Sequence, residues 1–314
     1  MITKDDVVQY AQKARVGIDM ARNEIALTFL LERIANSEIN DRVIFKGGSA
    51  IKKFILGPTG RFSVDVDFAA LSQFRGENLD NVKEALLLLV ENDAEDEVSF
   101  YIDSFEEAGP GTIQADCSYT SNFGDGNFEM DITESKTPPI LGTKWKTPIS
   151  QSYFSLFDFT PSPILTTYEA EGMAEKLAAI HRRSDNRNPK DIFDLWSWFS
   201  KNCPAKEDVD ALKKLWPVRL WLDGQTWRGP SWFENVRAKD FDWYMLEKTV
   251  GGGVKSFEPE KIIAELKERI LEWIDKDPYQ ILKDAKSHSK SLREINGEVT
   301  RILKRLNNNE ISLV

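Results

Sequence analysis

Hydrophobic residues recur at helical spacing over residues 4–36, with Val8, Ala11 and Ala14 on one stripe and Ile25, Phe29, Leu30 and Ile34 on another. Apolar positions three and four apart turn one helix face toward a core, so this region is predicted helical. The pattern then changes. Val43-Ile44-Phe45 is an unbroken apolar run that enters a glycine pair, and residues 49–55 leave it as an amphipathic segment. That order predicts a strand, a tight turn and a helix start. Over residues 64–68 apolar and acidic positions alternate, which puts Asp65 and Asp67 on one face of a strand. Residues 79–90 read as a leucine-rich helix crossing over to the next strand. Three strand-like runs fill residues 98–134, divided by Gly109-Pro110-Gly111 and Gly124-Asp125-Gly126, both turn signals. The last run alternates again, and Asp131 shares its polar face with Glu129 and Thr133.

Residues 138–163 are proline-spotted and irregular, so the boundary is placed at their end. The expected domains are an α/β core over residues 1–163 and a helical domain over residues 164–314. Thr166 and Glu169 have the spacing of a capping box, with Leu165 as its hydrophobic staple. Gly172, Lys176, Ala179 and Arg183 form one stripe of the helix that follows. Small residues on either side of Lys176 leave room for a bulky group to reach it. A second helix opens on Asn188-Pro189-Lys190-Asp191, which supplies a cap, a proline in the first turn and an acid. Eight of the nine tryptophans lie at or after Trp196 and read as core of the helical domain. Gly251-Gly252-Gly253 reads as a flexible linker.

Composition narrows the function classes. The net charge of −10 argues against indiscriminate coating of nucleic acid, though not against a local basic groove. Two cysteines, Cys117 and Cys203, are too few for a disulfide framework and wrong for a zinc cluster. Lys4, Asp5 and Asp6 do not suit a signal peptide. The apolar run over residues 25–31, bounded by Glu24 and Glu32, is too short to span a bilayer. A cytoplasmic protein with no membrane association is expected. His181 and His288 are the only histidines and sit in no recognisable motif, which disfavours histidine-based catalysis. His181 reads as a partly buried polar residue.

The chemistry concentrates at the glycine pair and the acidic strand. Free backbone N–H groups at a helix start can hold phosphate. Two close carboxylates repel each other unless a cation or a proton sits between them. A phosphate cradle beside paired carboxylates is what metal-dependent nucleotide chemistry requires. No Walker A pattern is present, which disfavours a P-loop ATPase.

The segments Lys46-Gly47-Gly48-Ser49 and Arg61-Phe62-Ser63-Val64-Asp65-Val66-Asp67 resemble the signature of the AbiEii/AbiGii nucleotidyltransferase toxin family. That signature is a Gly-Gly-Ser/Thr turn followed by Arg-Phe-Ser-x-Asp-x-Asp, and the family shares a polymerase-β-like core. The resemblance covers roughly residues 40–200. It implies an α/β N-terminal polymerase-β-like nucleotidyltransferase core with a mixed sheet, plus an all-α C-terminal domain that contributes Lys176 and Asp191 to the site. Asp65 and Asp67 would hold two Mg²⁺, with Mn²⁺ as a substitute, and Asp131 would be the third carboxylate. Glu129, on the same face, is the alternative to Asp131. Gly47, Gly48 and Ser49 would contact the nucleotide's phosphates through the backbone and the hydroxyl.

The family also has a functional lysine in a segment resembling Glu175-Lys176-Leu177-Ala178-Ala179, which implies that Lys176 neutralises charge on the triphosphate. It has a functional aspartate in one resembling Pro189-Lys190-Asp191-Ile192-Phe193-Asp194. Asp191 would orient either Lys176 or the nucleotide, and Asp194 reads as structural. Taken as a surface residue, Lys176 should be replaceable by alanine with little change in melting temperature but a large loss of transfer. The implied activity is transfer of nucleotides from a nucleoside triphosphate to an RNA acceptor, the tRNA 3′ end, which inhibits translation. A cognate antitoxin encoded nearby is the implied partner. The alternatives are modification of a protein or small molecule, and a nucleotide-binding module without turnover. A basic path for RNA would use Arg182, Arg183, Arg187 and Lys190, with the tail over residues 283–305 further out.

Overall fold

Thr3 opens the first helix. Its hydroxyl accepts the Asp6 N–H at 3.3 Å and its own N–H donates to the Asp6 carboxylate at 2.9 Å, a reciprocal cap that satisfies two orphan donors. In the computed structural model, residues 2–71, 79–90, 97–109, 111–134, 139–156, 159–182, 187–223, 225 and 227–274 are described. They fall into two units, one of Met1–Ser135, Thr143–Thr167 and Leu246–Ser256, the other of Lys136–Gly142, Tyr168–Met245 and Phe257–Val314. Among the described residues, no helix is long and apolar enough to cross a membrane.

The first unit is a mixed α/β structure. Its helices are α1 (Lys4–Ala14), α2 (Ile18–Ala35), α3 (Gly47–Ile51) and α4 (Leu79–Val90). Its strands are β1 (Val43–Lys46), β2 (Val66–Ala70), β3 (Val98–Gly109), β4 (Thr112–Ser121), β5 (Gly126–Glu134), β6 (Thr143–Lys146) and β7 (Ile164–Thr167). They form one seven-stranded sheet in the order β3-β4-β5-β2-β1-β7-β6. The β2/β5 and β1/β7 pairs are parallel and the others antiparallel, so the sheet is mixed.

Register converts the alternating sequence into two faces. Phe45, Phe68, Ile132 and Ile113 stand opposite one another across four strands, and all are buried. They share a core with Leu27, Leu30 and Ile34 of α2. The next row, one residue along, is Lys46, Asp67, Asp131 and Gln114. Because successive side chains alternate, this polar row lies on the opposite face of the same strands.

Three local expectations change. Strand β2 begins at Val66, so Asp65 lies just before it. The capping box at Thr166 does not form, because residues 164–167 are strand and the Thr166 hydroxyl donates to the Phe45 carbonyl at 2.9 Å. Leu165 is buried with Ile44 and Ala69; burying that side chain and adding ladder bonds outweigh one helix cap. The glycine run at 251–253 is an ordered turn and no linker. The Gly252 N–H donates to the Arg15 carbonyl at 2.7 Å, and a Cβ on Gly251 would lie 2.5 Å from the Ala14 carbonyl oxygen.

Beyond α3 the chain continues as a π-helical turn over residues 52–56 that carries Lys53 into the core. The Lys53 ammonium donates to Glu24 Oε1 at 2.7 Å, Thr28 Oγ1 at 2.8 Å and Tyr153 Oη at 3.1 Å. Both charged side chains are 2% exposed. Burial pushes the Lys53 pKa down, and the Glu24 carboxylate opposes this. Breaking a buried pair strands the remaining charge, which typically costs about 3–5 kcal/mol. Lys53→Met is expected to lose that much in urea unfolding, and Lys53→Met/Glu24→Gln to lose less than the single variant. A single variant within about 1 kcal/mol of wild type would show that the pair holds nothing in place.

The described elements of the second unit are helices and turns: α5 (Glu169–Arg182), α6 (Lys190–Ser197), α7 (Lys206–Leu222) and α8 (Pro259–Ile274), with shorter helical turns between them. Trp198, Trp216 and Trp232 are buried, and Trp216 stacks on Trp232 with ring centroids 5.8 Å apart. His181 is buried at the edge of both rings. Its Nε2 accepts the Arg228 N–H at 3.2 Å, so Nδ1 carries the proton and donates to Gln225 Oε1 at 3.1 Å. Burial pushes the His181 pKa down, with the Gln225 contact opposing. It is a neutral core residue.

Candidate active site

The glycine turn and the acidic strand are built against each other. Gly47 has φ +76°, which only glycine adopts without strain. A Cβ on Gly47 would overlap the Asp67 carboxylate. The turn therefore requires glycine twice over, for its backbone angle and for the carboxylate seated on it. At Gly48 a Cβ would lie 2.7 Å from the buried Arg61 guanidinium and 3.1 Å from Ser63 Oγ. The Arg-Phe-Ser segment thus packs onto the second glycine. Ser49 is buried, and its hydroxyl donates to the Asp65 carbonyl. That bond pins the carbonyl before β2 to helix α3. The serine's one hydroxyl proton is thereby spent inside the protein.

Asp67 and Asp131 are direct cross-strand partners on parallel β2 and β5. Glu129 is exposed and stands opposite Asp116 on β4, so Asp131 is the β5 acid beside Asp67. Burial raises the Asp131 pKa, the Asp65 carboxylate raises it further, and the Gln114 side chain and Lys46 act in the opposite sense. Asp131 Oδ1 is buried with no hydrogen-bond partner among the described residues. Asp65, Asp67 and Asp131 offer only carboxylate oxygens, the donor set that suits a hard divalent cation. Among the described residues, no three acidic, histidine or cysteine side chains already close into a metal cage. Mg²⁺ does not need one, since it keeps several waters and takes its remaining ligands from one or two carboxylates and substrate phosphates.

In the second unit, Lys176 on α5 reaches two acids of α6. Its ammonium lies 2.8 Å from Asp191 Oδ1 and 3.2 Å from Asp194 Oδ2. The three side chains are 15%, 8% and 2% exposed, so this is a largely buried ionic cluster. Of the two partners expected for Asp191, Lys176 is thus within direct reach of its carboxylate. Asp194, read from the sequence as structural, is a second member of the cluster. Its position three residues after Asp191 on one helix is the signal that could have found it. The α6 start is also shifted by one residue: Pro189 is the cap position, and Asn188 Oδ1 accepts the Lys190 N–H at 3.1 Å.

Of the expected basic path, Arg182 is exposed and 3.9 Å from Asp223, Arg187 is exposed and Lys190 is half-buried. Arg183 and the tail over residues 283–305 lie outside the described residues.

The profile of a family described as nucleotidyl transferase AbiEii toxin, type IV toxin–antitoxin system, matches residues 29–248. Among solved structures, MenT4, a nucleotidyltransferase toxin from Mycobacterium tuberculosis H37Rv, is similar with a TM-score of 0.73 at 22% identity, over 96% of this chain and 99% of that one. At that identity the likeness is one of fold. JHP933 from Helicobacter pylori gives a TM-score of 0.47 at 12% identity, over 94% of this chain and 100% of that one. No curated protein sequence matches the chain.

Proposed function

This chain belongs to the AbiEii nucleotidyl transferase toxin family of type IV toxin–antitoxin systems, and we propose that it transfers nucleotides from a nucleoside triphosphate to the 3′ end of tRNA, blocking translation. The observation that carries the transfer chemistry is the in-register pair of Asp67 and Asp131, with the Gly47 turn seated on the Asp67 carboxylate. The acceptor hydroxyl oxygen attacks the α-phosphorus. A new P–O bond forms, the bond to the bridging oxygen of the β-phosphate breaks, and pyrophosphate leaves.

Asp65, Asp67 and Asp131 would hold Mg²⁺, which when bound offsets phosphate charge and acidifies the attacking hydroxyl. Asp131 would also be placed to take the hydroxyl proton on a carboxylate oxygen. Backbone N–H groups of the Gly47-Gly48 turn would bind the phosphates, with Ser49 fixing the turn to Asp65. Lys176, held by Asp191 and Asp194, would offset the negative charge that accumulates in transfer. Holding a charged group in place beforehand spares its reorganisation during the reaction. Arg182, Arg187 and Lys190 are described candidates for contacts to the RNA backbone, and an antitoxin is the expected protein partner.

The test is incubation with each of the four triphosphates labelled at the α-phosphate, total RNA and Mg²⁺, followed by a gel. Label in RNA of tRNA size, lost with a chelator, is the expected result. Label in a protein band would replace the tRNA reading with protein modification. Binding without any transfer would reduce the chain to a nucleotide-binding module.

A further inference from the structure

Three lysines flank the Gly47-Gly48 turn, and two are committed to the protein interior. Lys52 donates to the Gly60 carbonyl at 3.1 Å, and Lys53 pairs with Glu24 at 2.7 Å. Lys46 is different. It is the last residue of β1, directly opposite Asp67 on β2, which is itself directly opposite Asp131 on β5. Cross-strand partners share a face, with Cβ atoms roughly 4.5–5.5 Å apart. The Lys46 side chain therefore starts on the carboxylate face, half-buried, where the strand gives way to the glycine turn. Among the described residues it forms no close ion pair, and its charge acts on Asp131, opposing the rise in that carboxyl's pKa.

We propose that Lys46 is a positioning residue of this site, whose ammonium offsets the Asp67 and Asp131 carboxylates until a nucleotide arrives and thereby ties divalent-cation binding to triphosphate binding. The inference rests on the nucleotidyltransferase reading. Without a nucleotide, a cation approaching Asp67 and Asp131 meets a positive charge one strand away. The triphosphate brings negative charge of its own, which satisfies Lys46 and lets the cation enter with the substrate. A nucleotide-free enzyme then holds its carboxylates apart from stray cations without burying an uncompensated acid pair.

This role has an electrostatic signature that a structural role lacks. A unit charge near a divalent ion, in a wet and screened site, would change binding by about three- to tenfold. Lys46→Gln should bind Mn²⁺ alone that much tighter in calorimetry, while needing at least about tenfold more triphosphate for half-maximal transfer. Lys46→Arg should stay within about twofold of wild type in Mn²⁺ affinity because it keeps the charge. Lys46→Met, with a similar stem and no charge, should repeat the glutamine result should that variant fold poorly. Mn²⁺ affinity that is unchanged in Lys46→Gln and Lys46→Met overturns the inference alone. Weakening of metal and triphosphate together also overturns it, since that is the mark of a loosened site. No Mn²⁺ binding by the wild type, with or without triphosphate, overturns both the inference and the metal-dependent reading beneath it.

Discussion

Asparagine in place of Asp67 is expected to abolish nucleotide transfer while the protein stays folded. The substitution keeps the shape that rests on Gly47 and removes only the charge, so the turn has no steric reason to move. It also relieves like-charge crowding with Asp131, its cross-strand partner. Melting is therefore expected to change by less than about 1 kcal/mol. Transfer should fall by at least about a thousandfold, roughly 4 kcal/mol of lost transition-state stabilisation. Calorimetry should show divalent-cation binding weakened in parallel. The readout is initial-rate labelling of RNA at saturating triphosphate. Activity above one tenth of wild type would remove Asp67 from the catalytic group, and a large fall in melting temperature would mean its carboxylate is structural.

Removal of Lys176 is expected to harm both stability and activity, in contrast to what a surface lysine would do. Read along its helix, Lys176 sits among small residues and looks accessible. In the structure it is enclosed by Asp191 and Asp194. Alanine leaves two largely buried carboxylates facing each other without a counter-charge, a loss of about 3–5 kcal/mol by analogy with other broken buried pairs. Lys176→Ala/Asp194→Asn takes away one stranded charge and is expected to recover part of that stability. It should recover none of the transfer. This split separates the two roles of the lysine. Urea unfolding and RNA labelling on the same preparations measure it. A single variant as stable as wild type would return Lys176 to a solvated surface residue, and transfer restored in the double variant would exclude it from catalysis.

Much of this protein is legible in its sequence because the informative signals are local. The glycine pair announces a turn, since few other residues accept a φ of +76°. Alternation over residues 64–68 and 128–133 announces strands, because strand side chains have period two, although β2 starts only at Val66 and leaves Asp65 before it. Asp65 and Asp67 could be named from that pattern together with the family signature, and Asp131 with Glu129 as its alternative. Helical periodicity gave α1, α2 and α4 for the same short-range reason.

Four assignments needed the folded chain, and each depends on a partner distant in sequence. Thr166 has a helix-cap spacing, but pairing of β7 with β1 takes its hydroxyl for the Phe45 carbonyl. The triple glycine reads as slack chain until Gly252 bonds to Arg15 at the end of α1. Asp194, read as structural, has no partner named by the sequence until α6 packs so that it reaches Lys176. Asp131 and Glu129 share a face and cannot be ranked from the sequence, whereas the β2/β5 register puts Asp131 beside Asp67. A one-residue slip would turn every side chain of β5 to the other face, and a two-residue slip would exchange Glu129 for Asp131. Local preferences barely distinguish those registers. Burial of Phe68 and Ile132 in a common row does, and that energy exists only once the sheet and α2 have closed around them.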